Sequence, residues 1–420
     1  MRLTATFTSL AALLVLPFVL ADVVISNADV SADIVVPDQY IVKYKDNADS
    51  GKKKKHEEDV DKKAKERKKK GLRAKYDIPG LSGYTAEIAE ADLKTILSSE
   101  LVESVEKDTF VNHTRMIPHV QTGKRAMTAQ TPAPWGLDRI SHRSAPNATT
   151  PNSWSYWHNT PAGKNVRIYI VDTGIMISHS DFGGRAVWGA NFVNDGINND
   201  GNGHGTHVAA TAMGTRYGVA KAATAVAVKV LSSSGSGSVS GVISGIQWSV
   251  KDARAQPGGP KKAVLNMSLG GGFSPALNNA VAVACNEGMT VVVAAGNSGA
   301  DVGLSLASPA SEKTAITVAA TDIADKRPYW SNWGKLVDLF APGVGVESAW
   351  IPTNKATATL SGTSMASPHV AGLAAYLIAL ENLSGYQQVT ARILALATPN
   401  KVGDPGVFTP NLLGYNGSGK

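Results

Sequence analysis

The sequence predicts an α/β layered protein with a mostly parallel central sheet, preceded by a smaller α+β unit. Three observations carry this. Apolar runs at 166–171, 224–231, 263–269, 290–295, 315–320 and 336–341 are rich in Val and Ala and barely alternate, as strands buried on both faces do. Helical stretches at 207–213, 241–253, 275–285, 364–380 and 386–397 lie between or after them, and strands alternating with helices imply layers. Residues 22–127 differ in character: 38–44 alternates like a half-buried strand, 89–97 has helical spacing, and 101–106 reads as another strand.

The chain has 420 residues, enough for two or three domains with a sizeable core. Met1-Arg2 and an apolar run over 10–20 ending at Ala21 have the anatomy of a signal peptide, and the run is too short to span a bilayer. Residues 1–21 are therefore expected to be removed on secretion, and no other long apolar segment suggests a membrane anchor. Residues 22–127 follow as one unit with its core over 37–111. The Lys/Glu tract 51–71 inside it reads as a solvated loop or an exposed helix. Residues 113–134 are polar with scattered Pro and Gly, as in an exposed linker. Lys124-Arg125 within it reads equally as a dibasic processing site and as two solvated charges.

Residues 128–420 form the α/β domain. A single cysteine, Cys285, excludes any intramolecular disulfide, and its place in an apolar helical run makes it a packed hydrophobe. Net charge is +7, and from Thr128 onward 20 Lys and Arg face 15 Asp and Glu. That balance suits adsorption to acidic surfaces. No nucleic-acid motif accompanies it, so nucleic acid is not an expected partner.

Candidate chemistry sits where such a sheet would end. Asp172 closes the run 166–171 in Val-Asp-Thr-Gly, at the carboxyl end of a predicted parallel strand, where open α/β sheets bind ligands. An Asp-capped turn is the plainer reading. Asp-Thr-Gly also marks half of an aspartic protease site, but that chemistry needs two carboxylates sharing a proton. No second Asp-Thr-Gly or Asp-Ser-Gly occurs from Thr128 onward.

His204, in Asp-Gly-Asn-Gly-His-Gly-Thr-His, stands at a Gly-rich loop–helix junction, where an imidazole can project into a cleft as a general base. His207 makes a His-x-x-His pair with it, but no third zinc ligand is evident. Residues 195–203 resemble a calcium loop, miss the EF-hand spacing and read as turns. Ser364 sits in a small-residue turn before an Ala-rich helix, with unpaired backbone N–H groups beside it that can hold an anion. It reads as a nucleophile or as an ordinary helix cap. Pro368 is expected in the first helical turn. Asn297 ends the run 290–295, and its carboxamide reads as an oxyanion donor or as a turn residue. Gly235-Ser236-Gly237 and Ser268-Leu269-Gly270 offer backbone that an extended ligand can reach.

Four blocks then converge: Val-Asp-Thr-Gly at Asp172, Gly-His-Gly-Thr-His at His204, Ala-Ala-Gly-Asn at Asn297 and Gly-Thr-Ser-Met-Ala-Ser-Pro-His at Ser364. In this order and composition they resemble the subtilisin-like serine proteases. Pro134-Trp-Gly-Leu, Val228-Lys-Val-Leu and residues 361–376 are similar to the proteinase K branch found in secreted fungal enzymes. The likeness covers about residue 129 to the C-terminus, and residues 37–111 resemble the family's inhibitory propeptide.

The resemblance implies a three-layer subtilisin-like fold and a secreted serine endopeptidase made as a zymogen and acting as a monomer. It implies Ser364 as nucleophile, His204 as base, Asp172 as its orienting acid and Asn297 in the oxyanion hole. The substrate strand is expected to add between 235–239 and 268–270. Broad specificity follows, with a hydrophobic or aromatic preference set near Gly296. Protein substrates and the chain's own propeptide are the expected partners, with a mature N-terminus near 126–129. No organic cofactor is implied.

Structural calcium is implied through Asp338 and the backbone carbonyls of Lys313 and Ala315, with Asp404 at a weaker second site. The chain departs from proteinase K at Val208, where that branch carries a free thiol, so thiol sensitivity is not carried over. Sequons occur at Asn112, Asn147, Asn266, Asn382 and Asn416, with Asn266 in a predicted buried strand. A catalytically silent scaffold on the same fold would need a broken block, and none is broken.

Overall fold

Alternation in the amino-terminal unit builds an antiparallel sheet with one covered face. The computed structural model describes residues 23–113, 117–118, 130–159, 162–193 and 195–420. Residues 1–21, the boundary near 127 and Lys124-Arg125 lie outside them. The unit runs β1 (Val35–Tyr44), α1 (Ser50–Glu66), β2 (Gly71–Ile78), β3 (Leu81–Glu87), α2 (Lys94–Leu97) and β4 (Val102–His113). β1 lies between β3 and β4, antiparallel to both, and β2 pairs outside β3. Tyr40, Val42, Tyr84 and Val105 meet Val60 of α1 and Ile96 of α2 in one core.

Two expectations are sharpened or changed here. The Lys/Glu tract takes the second of its two readings, a helix, and adds a buried edge: Asp49 caps it by accepting from Lys52 N at 2.9 Å. His56, Val60 and Ala64 recur every four residues and face inward. The second change is β4, which continues to His113 instead of stopping near 106. Its last residues pair with the following domain, a partner that local pattern does not show. His113 is therefore strand rather than linker, and β5 (Ile117–Pro118) also pairs with the following domain.

The second domain begins with α3 (Trp135–Ser141) and then alternates. Its elements are β6 (Arg167–Asp172), β7 (Ala186–Asn191), α4 (His204–Met213), β8 (Thr224–Lys229), β9 (Ser236–Ser238), α5 (Val239–Arg254), β10 (Ala263–Met267), β11 (Leu269–Gly270), α6 (Pro275–Asn286) and β12 (Thr290–Ala294). They continue with α7 (Val302–Ser305), β13 (Ile316–Thr321), β14 (Leu339–Pro342), β15 (Val346–Ala349), β16 (Thr357–Ser361), α8 (Thr363–Glu381), α9 (Tyr386–Leu396), β17 (Thr398–Pro399) and β18 (Leu412–Leu413).

The sheet order is β17-β18-β14-β13-β12-β10-β6-β8-β7, parallel from β18 to β7. Every residue of β10, β12 and β13 is buried, as their unbroken apolar composition requires. On one face α4 and α8 share a core with Ile168, Ile170, Val292 and Val318. On the other, α5 and α6 cover Tyr169, Val171, Leu265 and Val293. The result is three layers, helix on sheet on helix. Cys285 is buried on α6, donates to the Thr314 carbonyl at 3.4 Å, and burial pushes its thiol up to about 12.

Helix α8 corrects one local expectation. Pro368 is the sixth helical residue, in the second turn rather than the first. Its missing N–H would have bonded the Ser364 carbonyl. Ser268 Oγ takes that acceptor instead, at 2.9 Å. The proline thus opens a place for a side chain of β10's end to dock on the start of α8.

Candidate active site

The carboxyl ends of β6, β10 and β12 and the amino ends of α4 and α8 converge on one edge of the parallel sheet. Asp172 is the last residue of β6 and His204 the first of α4, and both are fully buried. His204 Nδ1–H donates to Asp172 Oδ1 at 2.7 Å, which leaves Nε2 as the acceptor of the neutral ring. Among the described residues Nε2 has no hydrogen-bond partner. Asp172 Oδ1 also accepts from Thr173 N at 2.7 Å. Gly205 is required beside this pair: a Cβ there would lie 2.1 Å from the Gly174 carbonyl oxygen and 3.2 Å from Asp172 Oδ1.

Ser364, the second residue of α8, is fully buried, and its Oγ–H donates to the Ser268 carbonyl at 3.1 Å. Asn297 follows β12. Its Oδ1 accepts from Thr363 N at 2.9 Å and Thr363 Oγ1 at 2.8 Å, which fixes the carboxamide against the start of α8. Gly296 has φ 101°, and its N–H donates to Thr363 Oγ1 at 3.0 Å. A Cβ on Gly296 would lie 2.6 Å from Asn332 Nδ2. The other two histidines nearby are structural. His207 Nε2–H donates to the Val346 carbonyl at 3.1 Å, and burial, with His204 close by, pushes its pKa down to about 3. His369 Nδ1–H donates to the Met365 carbonyl at 2.8 Å, and burial pushes it down to about 4. Neither belongs to a metal cluster among the described residues.

The end of β4 fills the lane that the sequence assigned to a substrate. On one side Phe110, Val111 and Asn112 pair antiparallel with Ser238, Gly237 and Ser236 of β9. On the other, Asn112 and His113 pair with Gly270 and Leu269 of β11. His113 N–H donates to the Gly235 carbonyl at 3.1 Å, and its ring stacks on His204 with centroids 4.7 Å apart. Gly235, at φ 81°, makes this approach feasible, since a Cβ there would lie 2.1 Å from the His113 ring.

Several residues around the site make contacts that the sequence alone does not show. Asp108 of β4 accepts from Ser240 N at 3.1 Å and Ser240 Oγ at 2.6 Å, at the start of α5. Glu106 accepts from Ser274 Oγ at 2.6 Å and Ala276 N at 3.2 Å, at the start of α6. Two carboxylates two residues apart on a strand thus meet two helix N-termini, where negative charge is favoured. Their spacing on one strand face was a signal; their partners, far away in sequence, were not. Burial outweighs the two donors to Glu106 and pushes its carboxyl up to about 7. Lys229 is fully buried at the end of β8, donating to the carbonyls of Thr173 at 2.9 Å and Leu231 at 2.7 Å.

Asp338 lies beside the first residues of β13 and accepts from Thr317 N at 2.8 Å. It forms no ion pair among the described residues, and burial pushes its carboxyl up to about 6. A mostly buried carboxylate without a compensating charge fits a hard cation such as calcium. Asp404, by contrast, pairs with Arg327 at 3.2 Å.

Comparison with known proteins identifies the family. Residues 163–414 match the model of the subtilase family, and residues 39–114 match that of the peptidase inhibitor I9 family. Subtilisin-like protease 2 of Pseudogymnoascus destructans is 48% identical over 350 residues, covering 83% of this chain and 81% of that protein. Subtilisin-like serine protease Pen c 1 of Penicillium citrinum is 46% identical over 393 residues, 92% of this chain and 93% of that protein. The crystal structure of a cold adapted subtilisin-like serine proteinase superposes with a TM-score of 0.62 at 46% identity, covering 68% of this chain and 98% of that one.

Proposed function

We propose that this chain, which belongs to the subtilase family of serine endopeptidases, is made as a secreted zymogen and cleaves proteins with broad specificity. The observation that carries the zymogen reading is the strand 110–113, held in antiparallel register between β9 and β11 with His113 against His204. An inhibitor bound as a substrate strand blocks the lane it imitates.

In this reading Ser364 Oγ turns from the Ser268 carbonyl toward His204 Nε2 and attacks the scissile carbonyl. His204 takes the proton and returns it to the leaving amine, while Asp172 holds the tautomer and stabilises the imidazolium. Asn297 and the Ser364 backbone N–H receive the developing oxyanion. Ser236, Gly237, Ser268, Leu269 and Gly270 pair with substrate main chain, so side-chain preference is left to the pocket beside Gly296, where a hydrophobic or aromatic residue is favoured.

Residues 1–21 act as a signal peptide in this proposal and 22–127 as prosegment. Calcium at Asp338, with the carbonyls of Lys313 and Ala315, would supply a positive charge that holds the edge of β13 to β14; no organic cofactor is used. A basic enzyme domain suits proteins at acidic surfaces, and nutrient acquisition or attack on host cuticle proteins are the roles proposed. Labelling with a fluorophosphonate tests the enzyme reading. We expect an adduct on Ser364 of the mature protein that disappears in Ser364→Ala; mature protein that takes no label would refute it.

A further inference from the structure

We propose that Asp200 is a positioning residue for the hydrolytic reaction, holding His204 in register with Asp172. The proposal rests on the serine endopeptidase reading above. Asp200 is 3% exposed and lies in the turn between β7 and α4. Its Oδ1 accepts from Thr173 Oγ1 at 2.9 Å, Gly203 N at 2.8 Å and Asn202 N at 3.0 Å. Its Oδ2 accepts from Thr206 N at 2.9 Å and Thr206 Oγ1 at 2.6 Å.

These donors come from both sides of the Asp172–His204 bond. Thr173 follows Asp172, and Thr206 lies two residues after His204. Thr173 Oγ1 accepts in turn from Gly205 N at 2.9 Å, and Thr206 Oγ1 from Met176 N at 2.9 Å. One carboxylate therefore ties the end of β6 to the first turn of α4. The cap position of α4 is Gly203, which has no side chain with which to do this. Asp200 reaches in from three residues earlier and satisfies the donors that a capping side chain would take.

A carboxylate suits the site because every partner donates. An amide of the same shape has one acceptor oxygen and turns an NH2 group toward N–H and O–H donors. It would leave buried donors unpaired, and the first turn of α4 would shift against β6. A displacement near 1 Å at the reacting groups can lower turnover by about 100-fold.

The experiment compares Asp200→Asn, Thr173→Val and Thr173→Ser with the parent as mature enzymes, processed in trans by parent enzyme where a variant does not process itself. Active sites are counted by fluorophosphonate labelling. For Asp200→Asn we expect kcat to fall about 10–100-fold with KM little changed. The acidic limb of the kcat/KM profile should move to lower pH as the imidazolium loses its carboxylate. Thr173→Val should move both in the same direction, and Thr173→Ser should restore them. Parent-like kcat and pH limb in Asp200→Asn, with only Tm reduced, would overturn the proposal. If Asp200→Asn does not fold, identical kinetics for Thr173→Val and Thr173→Ser would overturn it. Failure of the parent to label at Ser364 would instead remove the underlying enzyme reading.

Discussion

Asp338→Asn is expected to stabilise the metal-free protein above pH 6 and to remove its response to calcium. The carboxyl is pushed from 3.8 to about 6 by burial, against a single backbone donor, Thr317 N. A raised folded value means that the folded state holds the proton more tightly than the unfolded chain. Below 3.8 both states are protonated and nothing is lost; between 3.8 and 6 the metal-free protein loses stability, and above 6 the loss is complete. Two units correspond to about 3 kcal/mol, which residual solvent contact lowers to roughly 2 kcal/mol. For a domain of this size that is about 4–8 °C in Tm. Asparagine keeps the acceptor for Thr317 N without the charge. A bound cation supplies the missing partner, and saturating calcium adds stability through linkage, about 4 kcal/mol at a thousand times Kd. The assay is thermal unfolding of the Ser364→Ala zymogen, which cannot digest itself, with chelator or calcium across this pH range. If the chelated Asp338→Asn and parent zymogens melt together at every pH, or calcium raises both equally, the argument fails.

Two further outcomes concern the prosegment. The Glu106 carboxyl stands at about 7 when docked against 4.5 when free, so the docked state prefers the proton. The hold of the cut prosegment should therefore weaken as pH rises from 4.5 through 7, and Glu106→Gln should flatten that dependence; a dissociation rate of the cut complex that does not change with pH would count against it. The strand also sets where the first cut falls. β4 ends with His113 over His204, and the chain next pairs at Ile117 and Pro118 with Ser361 and Leu360 of β16. The first bond cut is thus expected between His113 and Ile117, upstream of Lys124-Arg125, with later trimming toward 126–129. Mass spectrometry of early processing products checks this, and a first product beginning at 126–129 would contradict it.

The α/β domain was readable because strands buried on both faces carry no alternation to confuse with solvent-facing segments. Asp172 ends such a strand and Asn297 follows another, while His204 and Ser364 open the helices α4 and α8, so finding the alternating elements also located the residues. What stayed hidden depended on partners distant in the chain. The partners that extend β4 through Phe110–His113 are Ser236–Ser238 and Leu269–Gly270, far away in the sequence. The helix α1 was obscured by charge: lysines dominate it, and only His56, Val60 and Ala64 mark the inward edge. Asp200 read as a turn residue because its donors, Thr173 and Thr206, flank two other candidates and drew no separate notice. Pro368 falls in the second turn because the helix begins at Thr363, and the acceptor it frees is filled by the side chain of Ser268, which follows β10.

The lane that holds β4 has a consequence for the life of the mature protein. Once the prosegment leaves, β9 and β11 become open strand edges, with N–H and C=O groups facing solvent. Such edges invite pairing with other chains, including partly unfolded ones. Here they span only three and two residues, and glycine and serine occupy most of their positions. Edges so short and so poor in β-formers are weak templates for aggregation. They capture an extended peptide only when both flank it at once. The same shortness limits how long a product can linger, so recognition by main-chain pairing stays compatible with release.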